Sequence, residues 1–333
     1  MDRVRIGALG AARITSNALI APARQVEEAV VTAVAARNSD NARSFAAANG
    51  IPGIRHSYEA LIVDPEIDAI YNPLPNALHA PWTLRAIEAG KHVLCEKPLA
   101  SNAPQAQLVA SAAQAAGRVV MEAFHYRYHP LARRMREIVR GRADAPNGDL
   151  GAVKHLDVKL CFPIADPTDI RFSFELAGGA NMDGGCYAIN ILRLLGPGEP
   201  DVISAAAQEA APLVDGAITA ALGFPSGATS RYEVSLLRAN PFTADVSVTG
   251  EDGELRVVNF MSPHSGHKLA VTIHGQTRDE QVAGEPTYTG QLRAFTAAVL
   301  RGEPFPTTAA DAVINMRLID DVYRAAGLPP RGM

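Results

Sequence analysis

The stretch 91-KHVLCEKPLAS-101 carries the side chains best placed for chemistry. A short apolar run, 92–95, ends abruptly in Glu96 and Lys97, and Pro98 follows at once. A lysine can donate hydrogen bonds to a substrate oxygen or exchange a proton with it. Proline removes a backbone N–H and restricts the preceding residue to extended backbone, which sets the direction of Lys97. The alternative is an ordinary lysine at the end of a strand.

A second candidate site follows the first apolar run, where the chain reads 7-GALGAARIT-15. Dinucleotide-binding turns carry Gly-x-Gly-x-x-Gly, because glycines permit the tight turn and the close approach of a pyrophosphate. Gly10, Ala12 and Thr15 occupy the three positions, so only the first is glycine. A first strand followed directly by a helix and a second strand still predicts a dinucleotide site. The predicted contacts in this turn are Gly10, Ala12, Arg13 and Ile14.

The tip of the second strand distinguishes NADP from NAD. In NAD-binding proteins an acidic residue there accepts hydrogen bonds from the ribose. This chain carries Arg37 instead, with Ser39 two residues on. A guanidinium and a hydroxyl suit a 2′-phosphate, so NADP is the predicted cofactor. NAD is the alternative, with Asp40 binding the ribose and Arg37 solvated.

The elements that must position these groups alternate over the first 125 residues. Apolar runs that predict strands lie at 4–9, 30–36, 68–72, 92–95 and 119–124. Predicted helices lie at 41–49, 77–89 and 103–116. Such alternation predicts a parallel sheet covered on both faces, with ligands bound at the carboxyl ends of its strands. Lys97 follows the fourth of these strands.

The pattern changes after about residue 150. There Leu156, Val158 and Leu160 alternate with polar residues, as in a strand with one apolar face that is buried. Further strands are predicted at 218–224, 229–236, 245–249, 255–258 and 269–273, with a hairpin turn at 250–253. Helices are predicted at 186–195, 291–300 and 309–326. The predicted fold class is α/β: a doubly wound parallel sheet in residues 1–125, then an α+β domain in residues 126–333 with an open, mostly antiparallel sheet. Helices near the end of the chain could return across this boundary and pack against the first domain.

Composition excludes several classes of protein. The net charge is −4, and the only paired arginines are Arg133–Arg134, so no nucleic-acid partner is expected. The three cysteines have no metal-ligand or disulfide spacing. His125 and His129 lie four apart, but the run between them looks extended, so no metal site is predicted. Because no signal peptide or apolar span is found, a cytoplasmic protein is expected.

Five stretches carry a resemblance that covers nearly the whole chain. They are GALGAARI at 7–14, LPNALHAPWT at 74–83, HVLCEKPLA at 92–100, MEAFHYRYHP at 121–130 and GGANMDGGCYAINILRLLG at 178–196. Together they resemble the glucose–fructose oxidoreductase / inositol dehydrogenase / MocA family. The set is most similar to the branch of dihydrodiol dehydrogenase and NADP-dependent D-xylose dehydrogenase, where a tyrosine, here Tyr187, replaces a histidine.

The resemblance implies a Rossmann domain and a second α/β domain whose open sheet forms a dimer or tetramer interface. It implies hydride transfer between a nicotinamide and a secondary alcohol of a sugar, polyol or cyclic diol. It also implies a cis Lys97–Pro98 bond. The departures are Ala12 and Thr15 at glycine positions, and Asn181 where a bulky apolar residue is common.

Oxidising such an alcohol requires a base for the proton and a donor for the charge that develops on oxygen. We expect Tyr187 to exchange the proton while Lys97 holds the substrate oxygen, because an adjacent ammonium lowers a tyrosine pKa from ~10. The alternative has Lys97 carry the proton. Asp183, four residues before Tyr187, is expected to orient substrate or Lys97, and by itself is typical of a helix N-cap.

The resemblance, the position of Glu96 at the carboxyl end of a strand and that of Arg127 between the two predicted domains together predict further residues at the cofactor. They are Leu74, Pro75, Asn76, His79, Glu96, Lys97 and Arg127. His79 has the alternative of an ordinary first-turn helix residue. Arg127 is expected to contact cofactor or substrate, and the alternative is an ion pair with a carboxylate. Two alternatives remain for function: a catalytically silent NADP-binding redox sensor, and a reductase of a nucleotide-linked keto-sugar.

Overall fold

Residues 2–142, 148–237 and 242–332 are described by the structure, a computed structural model, and they divide into two compact units. The first unit runs to Tyr128 and takes up Tyr288–Ile314, and the second holds His129–Thr287 and the chain from Asn315 on. The expected boundary after residue 125 lies near the first crossing. The return segment joins the first unit because Leu292 and Phe295 are fully buried in its core.

The described strands of the first unit form one parallel sheet. They are β1 (Val4–Leu9), β2 (Ala29–Ala35), β3 (Gly53–Arg55), β4 (Ala69–Asn72), β5 (His92–Cys95) and β6 (Val120–Glu122). Their order, β3-β2-β1-β4-β5-β6, is that of a doubly wound Rossmann sheet, as predicted. The sequence did not predict β3, because its three residues contain no apolar run.

Helices cover this sheet and are capped by side chains that the sequence supplies. They span 13–23, Ser39–Asn49, Tyr58–Ile62, His79–Glu88, Ala103–Ala116 and Thr287–Arg301. Residues 13–23 form one stretch with a π-helical section at Ser16–Ile20. Asn102 caps the helix that begins at Ala103 by accepting a hydrogen bond from the Gln105 N–H at 3.0 Å. The predicted bounds of this helix, 103–116, are therefore confirmed.

The described strands of the second unit form a larger, mostly antiparallel sheet. They are β7 (Val153–Cys161), β8 (Asp201–Ala211), β9 (Val214–Gly223), β10 (Thr229–Ser235), β11 (Thr243–Gly250), β12 (Gly253–Val258), β13 (Lys268–Ile273) and β14 (Gln276–Glu280). Their order is β14-β13-β12-β11-β7-β10-β9-β8, and only β7 and β10 pair in parallel. The hairpin at 250–253 is confirmed. Strands β8 and β14 escaped prediction because β8 is mostly alanine and polar residues and β14, QTRDE, is wholly polar.

The helices of the second unit lie at Pro130–Arg140, 181–195 and the later part of Ala309–Ala325. The expected extended run around His125 is wrong: His125–Tyr128 is a 3₁₀ helix, and His129 caps the next helix by accepting a hydrogen bond from the Leu131 N–H at 3.1 Å. Local capping here overrides the alternating pattern. No helix in the described ranges is long and apolar enough to cross a lipid bilayer.

Glu280 joins the edge strand β14 to the helix Pro130–Arg140. Arg134 donates to it from Nε and Nη2 at 2.7 and 2.8 Å, and Arg278 donates at 3.0 Å. The hydrogen bonds from Arg134 lower the pKa of Glu280 from 4.5 to about 2. A lowered pKa contributes stability above pH 4.5 that is lost as the pH falls toward 2.

We therefore expect Glu280→Gln to lower the free energy of unfolding at pH 7 by about 1–2 kcal/mol, with the difference from wild type shrinking as the pH falls below 4.5. Urea unfolding at a series of pH values measures both effects. Asp279→Asn, an exposed acid on the same strand, is the control. A stability difference that does not change with pH would contradict the assignment.

Candidate active site

The turn after β1 brings its backbone close to a neighbouring segment. Gly10 has φ +80°, and its N–H donates to the Ala35 carbonyl at 2.6 Å. A Cβ on Gly10 would lie 3.2 Å from the side chain of Leu74, which follows β4. Only glycine suits this backbone and this space. The predicted first glycine of the turn therefore has a physical reason, and Leu74 lies beside it as expected.

The helix that follows the turn begins with open backbone donors. Ala12 is extended and offers no side-chain cap, and the first turn contains no acidic residue. Such an N-terminus favours an anion such as a pyrophosphate. Arg13 is exposed there, whereas Ile14 packs against the core of the unit. The side chain of Ile14 therefore anchors the helix.

Arg37 and Ser39 are both exposed just beyond the end of β2. Between them, Asn38 caps the helix Ser39–Asn49 by accepting hydrogen bonds from the N–H groups of Asp40 and Asn41. The carboxylate of Asp40 forms an ion pair with Arg43. The acid that the NAD alternative requires is thus already engaged by a cation, while Arg37 and Ser39 face solvent.

His79 ties together the segments that follow β4 and β5. Its ring nitrogens lie 2.6 Å from the carbonyl oxygens of Leu74 and Pro98, and its side chain is almost fully buried. Burial, together with the nearby Lys97 ammonium, lowers the pKa of His79 to about 4. The two carbonyls act in the opposite direction and raise this pKa, because a ring nitrogen must carry a proton to donate to each of them. Asn72 adds a hydrogen bond to the His79 carbonyl at 3.1 Å.

The Lys97 loop is held from both sides. The Lys97–Pro98 bond is cis, as the resemblance implied. The Pro98 carbonyl contacts His79, and the next N–H, of Leu99, donates to Glu122 at 2.8 Å. Glu122 is fully buried. Two buried side chains thus fix the backbone on the carboxyl side of Lys97, whose own side chain is half-buried.

Glu96 is also held in place. The hydroxyl of Tyr71, which lies on the adjacent strand β4, donates to Glu96 at 2.8 Å, and both side chains are buried. Burial and the Glu96 carboxylate raise the pKa of Tyr71 well above its ordinary value, so this phenol stays protonated. Glu96 therefore presents a fixed carboxylate next to Lys97.

The remaining predicted residues of the first unit lie beside this edge or beyond β6. Pro75 and Asn76 are half-buried in the turn that leads into the helix His79–Glu88. Arg127 lies in the 3₁₀ helix His125–Tyr128, where its N–H donates to the Phe124 carbonyl at 3.0 Å. Their contacts with a cofactor remain predictions.

In the second unit, Asp183 and Tyr187 lie on one helical stretch. A π-helical section, Asn181–Gly185, runs directly into the α-helix Cys186–Leu195. The expectation that Asp183 caps this helix is wrong, because the helical backbone already begins at Asn181. π-helical turns are frequent at functional sites. Tyr187 is 3% exposed.

Arg171 holds the Asp183 carboxylate. Its Nε donates to Asp183 at 2.9 Å, and its Nη1 donates to Asp169 at 3.0 Å. The two carboxylates raise the pKa of Arg171, with Asp183 the larger influence. A guanidinium at this distance favours the ionised form of Asp183. Asp183 is therefore suited to accept hydrogen bonds rather than to donate them.

Three glycines of GGANMDGG lie so close to neighbouring atoms that a side chain would not fit. A Cβ on Gly178 would lie 2.5 Å from the Arg171 carbonyl oxygen, and one on Gly184 would lie 2.5 Å from Val234. A Cβ on Gly185 would overlap the side chain of Asn181 at 2.1 Å. Asn181 is buried there, accepts a hydrogen bond from the Tyr232 hydroxyl at 2.6 Å, and donates to the Ile319 carbonyl at 3.3 Å. The asparagine at position 181, where the family commonly has a bulky apolar residue, therefore fills the space beside Gly185 and has hydrogen-bond partners for its side chain.

Sequence reasoning missed several residues that hold the predicted ones. They are Tyr71, Glu122, Arg171, Asp215 and Arg331. Glu122 carried a usable signal, since it is a lone charge in the apolar run 119–124. The others lie in stretches whose local pattern gives no such sign.

Comparison with known proteins agrees with this architecture. Residues 4–124 match the GFO_IDH_MocA oxidoreductase family with an NAD-binding Rossmann fold, and residues 132–256 match the GFO/IDH/MocA C-terminal domain. A solved 3-ketoreductase from Actinomadura kijaniata, in complex with NADP and TDP-benzene, superposes with a TM-score of 0.89 at 26% identity, covering 97% of this chain and 98% of that one.

Curated relatives extend over nearly the full length. D-xylose 1-dehydrogenase (NADP(+)) 2 of Haloferax volcanii is 37% identical over 324 residues, covering 96% of each chain. The dTDP-3,4-didehydro-2,6-dideoxy-alpha-D-glucose 3-reductase of Streptomyces violaceoruber is 32% identical over 336 residues, covering 98% of this chain and 96% of that one. With both domains matched and relatives aligned from end to end, the chain belongs to the GFO/IDH/MocA family of oxidoreductases.

Proposed function

We propose that this protein is an NADP-dependent oxidoreductase that transfers a hydride between the nicotinamide and a secondary alcohol or ketone of a sugar, polyol or cyclic diol. The observation that carries the proposal is the Lys97 loop, fixed by buried His79 and Glu122 at the carboxyl edge of a Rossmann sheet. An ammonium fixed at that edge suits a substrate oxygen.

The first unit has the features that NADP requires. Gly10 permits close approach of the pyrophosphate, and the open helix start after Ala12 favours its charge. Arg37 and Ser39 would hold the 2′-phosphate, while Glu96 would bind the nicotinamide ribose. When bound, the nicotinamide supplies the acceptor or donor of the hydride.

The protein's own groups handle the proton and the charge. In oxidation, the carbinol carbon loses a hydride and its hydroxyl loses a proton, which Tyr187 accepts. Lys97 donates a hydrogen bond to the substrate oxygen and stabilises the charge that develops there. Asp183, held by Arg171, accepts hydrogen bonds from further substrate hydroxyls. In the alternative, Lys97 carries the proton and Tyr187 donates the hydrogen bond to the substrate oxygen.

Two substrate classes follow from the relatives. The D-xylose dehydrogenase favours oxidation of a free aldose at its anomeric carbon. The 3-ketoreductase structure and the dTDP-sugar reductases favour reduction of a keto group on a nucleotide-linked sugar. We place the free aldose first, because that relative is the more similar in sequence.

We expect NADP-dependent oxidation of D-xylose, followed by NADPH absorbance, and little activity on dTDP-linked sugars. Lys97→Met and Tyr187→Phe should each lower kcat by roughly 100-fold or more while leaving NADP affinity largely unchanged, since they remove groups that act on the reacting oxygen. Lys268→Met, an exposed lysine in β13, is the control.

Near-normal turnover in either variant would remove that residue from the mechanism. Absence of hydride transfer with D-xylose and with a panel of sugars, dTDP-linked keto-sugars, polyols and diols would favour the catalytically silent sensor instead.

Arg37 tests the cofactor. Arg37→Gln removes a charge-assisted contact with the 2′-phosphate, so the KM for NADP should rise about 10- to 100-fold while the KM for NAD changes little. Steady-state kinetics with both cofactors measure the ratio. Arg43→Gln, whose parent side chain pairs with Asp40, is the matched control. An unchanged NADP preference in Arg37→Gln would overturn this assignment.

We further propose that the protein forms a homo-oligomer through the outer face of the large sheet. Side chains of both charge signs from β7, β10, β11 and β12 line a cavity of about 510 Å³ there. Lys159 of β7 lies 3.8 Å from Glu233 on the adjacent strand β10. Val258, 45% exposed, adds apolar surface at its rim. A face with interspersed charges of both signs and an apolar contact can pair with a second copy of itself.

Val258→Arg should therefore shift the mass in analytical ultracentrifugation from a multiple of 35.2 kDa toward the single chain. Leu108→Arg, at an exposed leucine of the first unit, should leave the mass unchanged. A wild-type protein that sediments as a single chain would reject the interface.

A further inference from the structure

A fully buried ion pair lies beneath the start of the helix that carries Asp183. Arg331, which follows the helix Ala309–Ala325, donates from Nη2 to Asp215 of β9 at 2.8 Å, and both side chains are 0% exposed. The guanidinium lies over the rings of Tyr323 and Phe174, at 4.0 and 5.1 Å from their centroids. The ion pair is thus enclosed by aromatic surface.

The ion pair holds backbone groups on both sides of Gly179. Arg331 donates from Nε to the Gly178 carbonyl at 2.7 Å, and Asp215 accepts a hydrogen bond from the Asn181 N–H at 2.7 Å. Gly179, with φ +130°, has no room for a Cβ, which would lie 2.1 Å from Asp215. The backbone that enters the helix is therefore pressed against the ion pair itself.

Asp183 depends directly on this entry. Its N–H donates to the Gly179 carbonyl at 3.0 Å, so the residue that lies against the ion pair also begins the hydrogen bonding of the helix. The Tyr323 hydroxyl donates to the same Asp215 oxygen as Arg331, at 2.9 Å. A displaced Asp215 would release the Asn181 N–H, two residues before Asp183.

Stability alone does not explain such a pair. Burial raises the pKa of Asp215 to about 6, although Arg331 and hydrogen bonds from Asn181 and Tyr323 act to lower it. Buried ion pairs are often replaceable by apolar residues without loss of stability, whereas a half-pair is strongly destabilising. What an apolar replacement cannot supply is directional hydrogen bonds to the backbone at Gly178 and Asn181.

We propose that Arg331 and Asp215 are positioning residues, which fix the helix entry 178–181 and thereby place Asp183 and Tyr187 for hydride transfer. The inference rests on the proposed function for its kinetic consequence. Its structural consequence, an ordered helix entry, stands on the contacts of the second unit alone.

The test uses the full chain and variants that separate positioning from folding. Tyr323→Phe removes one hydrogen bond to Asp215 and keeps the ion pair. Asp215→Asn combined with Arg331→Met removes both charges, so that no lone buried charge remains. Arg331→Lys keeps the charge but loses the planar contacts with Gly178 and the two rings. Arg324→Met, an exposed arginine on the preceding helix, is the matched control.

Hydrogen exchange followed by mass spectrometry provides the first readout and requires no substrate. We expect peptides covering 178–187 to exchange about 10-fold faster in Tyr323→Phe, and faster still in the double variant, with peptides of the first unit unchanged. Unchanged exchange at 178–187 in the double variant would overturn the proposal, whatever the activity of the protein.

Turnover of D-xylose with NADP provides the second readout. We expect kcat to fall about 10- to 100-fold in the double variant even where urea unfolding shows wild-type stability, because misplacement of reacting groups is costly. Arg331→Lys should retain more activity than the double variant, and the affinity for NADP should remain unchanged in all of these variants. If kcat merely follows stability across the set, Arg331 and Asp215 only stabilise the fold. If the wild-type protein transfers no hydride with D-xylose or with the panel of sugars, dTDP-linked keto-sugars, polyols and diols, the proposed function fails instead, and the exchange result still decides the helix entry.

Discussion

Parallel strand pairing is the constraint on which the first unit depends. Because all its described strands run in one direction, the segments that follow β1, β2, β4 and β5 leave the sheet at the same edge. Gly10, Arg37, Leu74 and Lys97 come to that edge although they lie far apart in the chain. The sheet supplies proximity, but it does not supply orientation. Orientation comes from buried side chains that bond to loop backbone, as His79 does with Leu74 and Pro98.

The second unit orders its helix entry by a different means. There the backbone is glycine-rich and is pressed against polar side chains from distant parts of the chain. Asp215 and Arg331 bond to the backbone on either side of Gly179, and Asn181 fills the space that Gly185 leaves. Glycines alone would make this segment loose, since they have the largest backbone entropy to lose. The buried hydrogen bonds offset that tendency and give one conformation.

One charge proposed for chemistry in each unit, Glu96 in the first and Asp183 in the second, has a fixed hydrogen-bond partner. Tyr71 donates to Glu96, and Arg171 donates to Asp183. His79 ties two loops together because its two ring nitrogens face the carbonyl oxygens of Leu74 and Pro98. Charges that are held in place need little reorganisation when charge develops on a substrate, which is the basis of electrostatic catalysis.

The sequence by itself determined the strands β1, β2, β4, β5 and β6, the helix Ala103–Ala116 and the position of Lys97 at a strand end, because these depend on local apolar runs, caps and proline. It also indicated the cofactor side through Gly10 and Arg37. Only the tertiary structure decided how Lys97 and Asp183 are held. Glu122, Arg171 and Arg331 contact residues 23, 12 and 153 positions away in the chain, and no local periodicity encodes these contacts. Likewise β8, mostly small and polar, and β14, wholly polar, become strands because neighbouring strands satisfy their backbone hydrogen bonds, which is a property of the sheet and not of their residues.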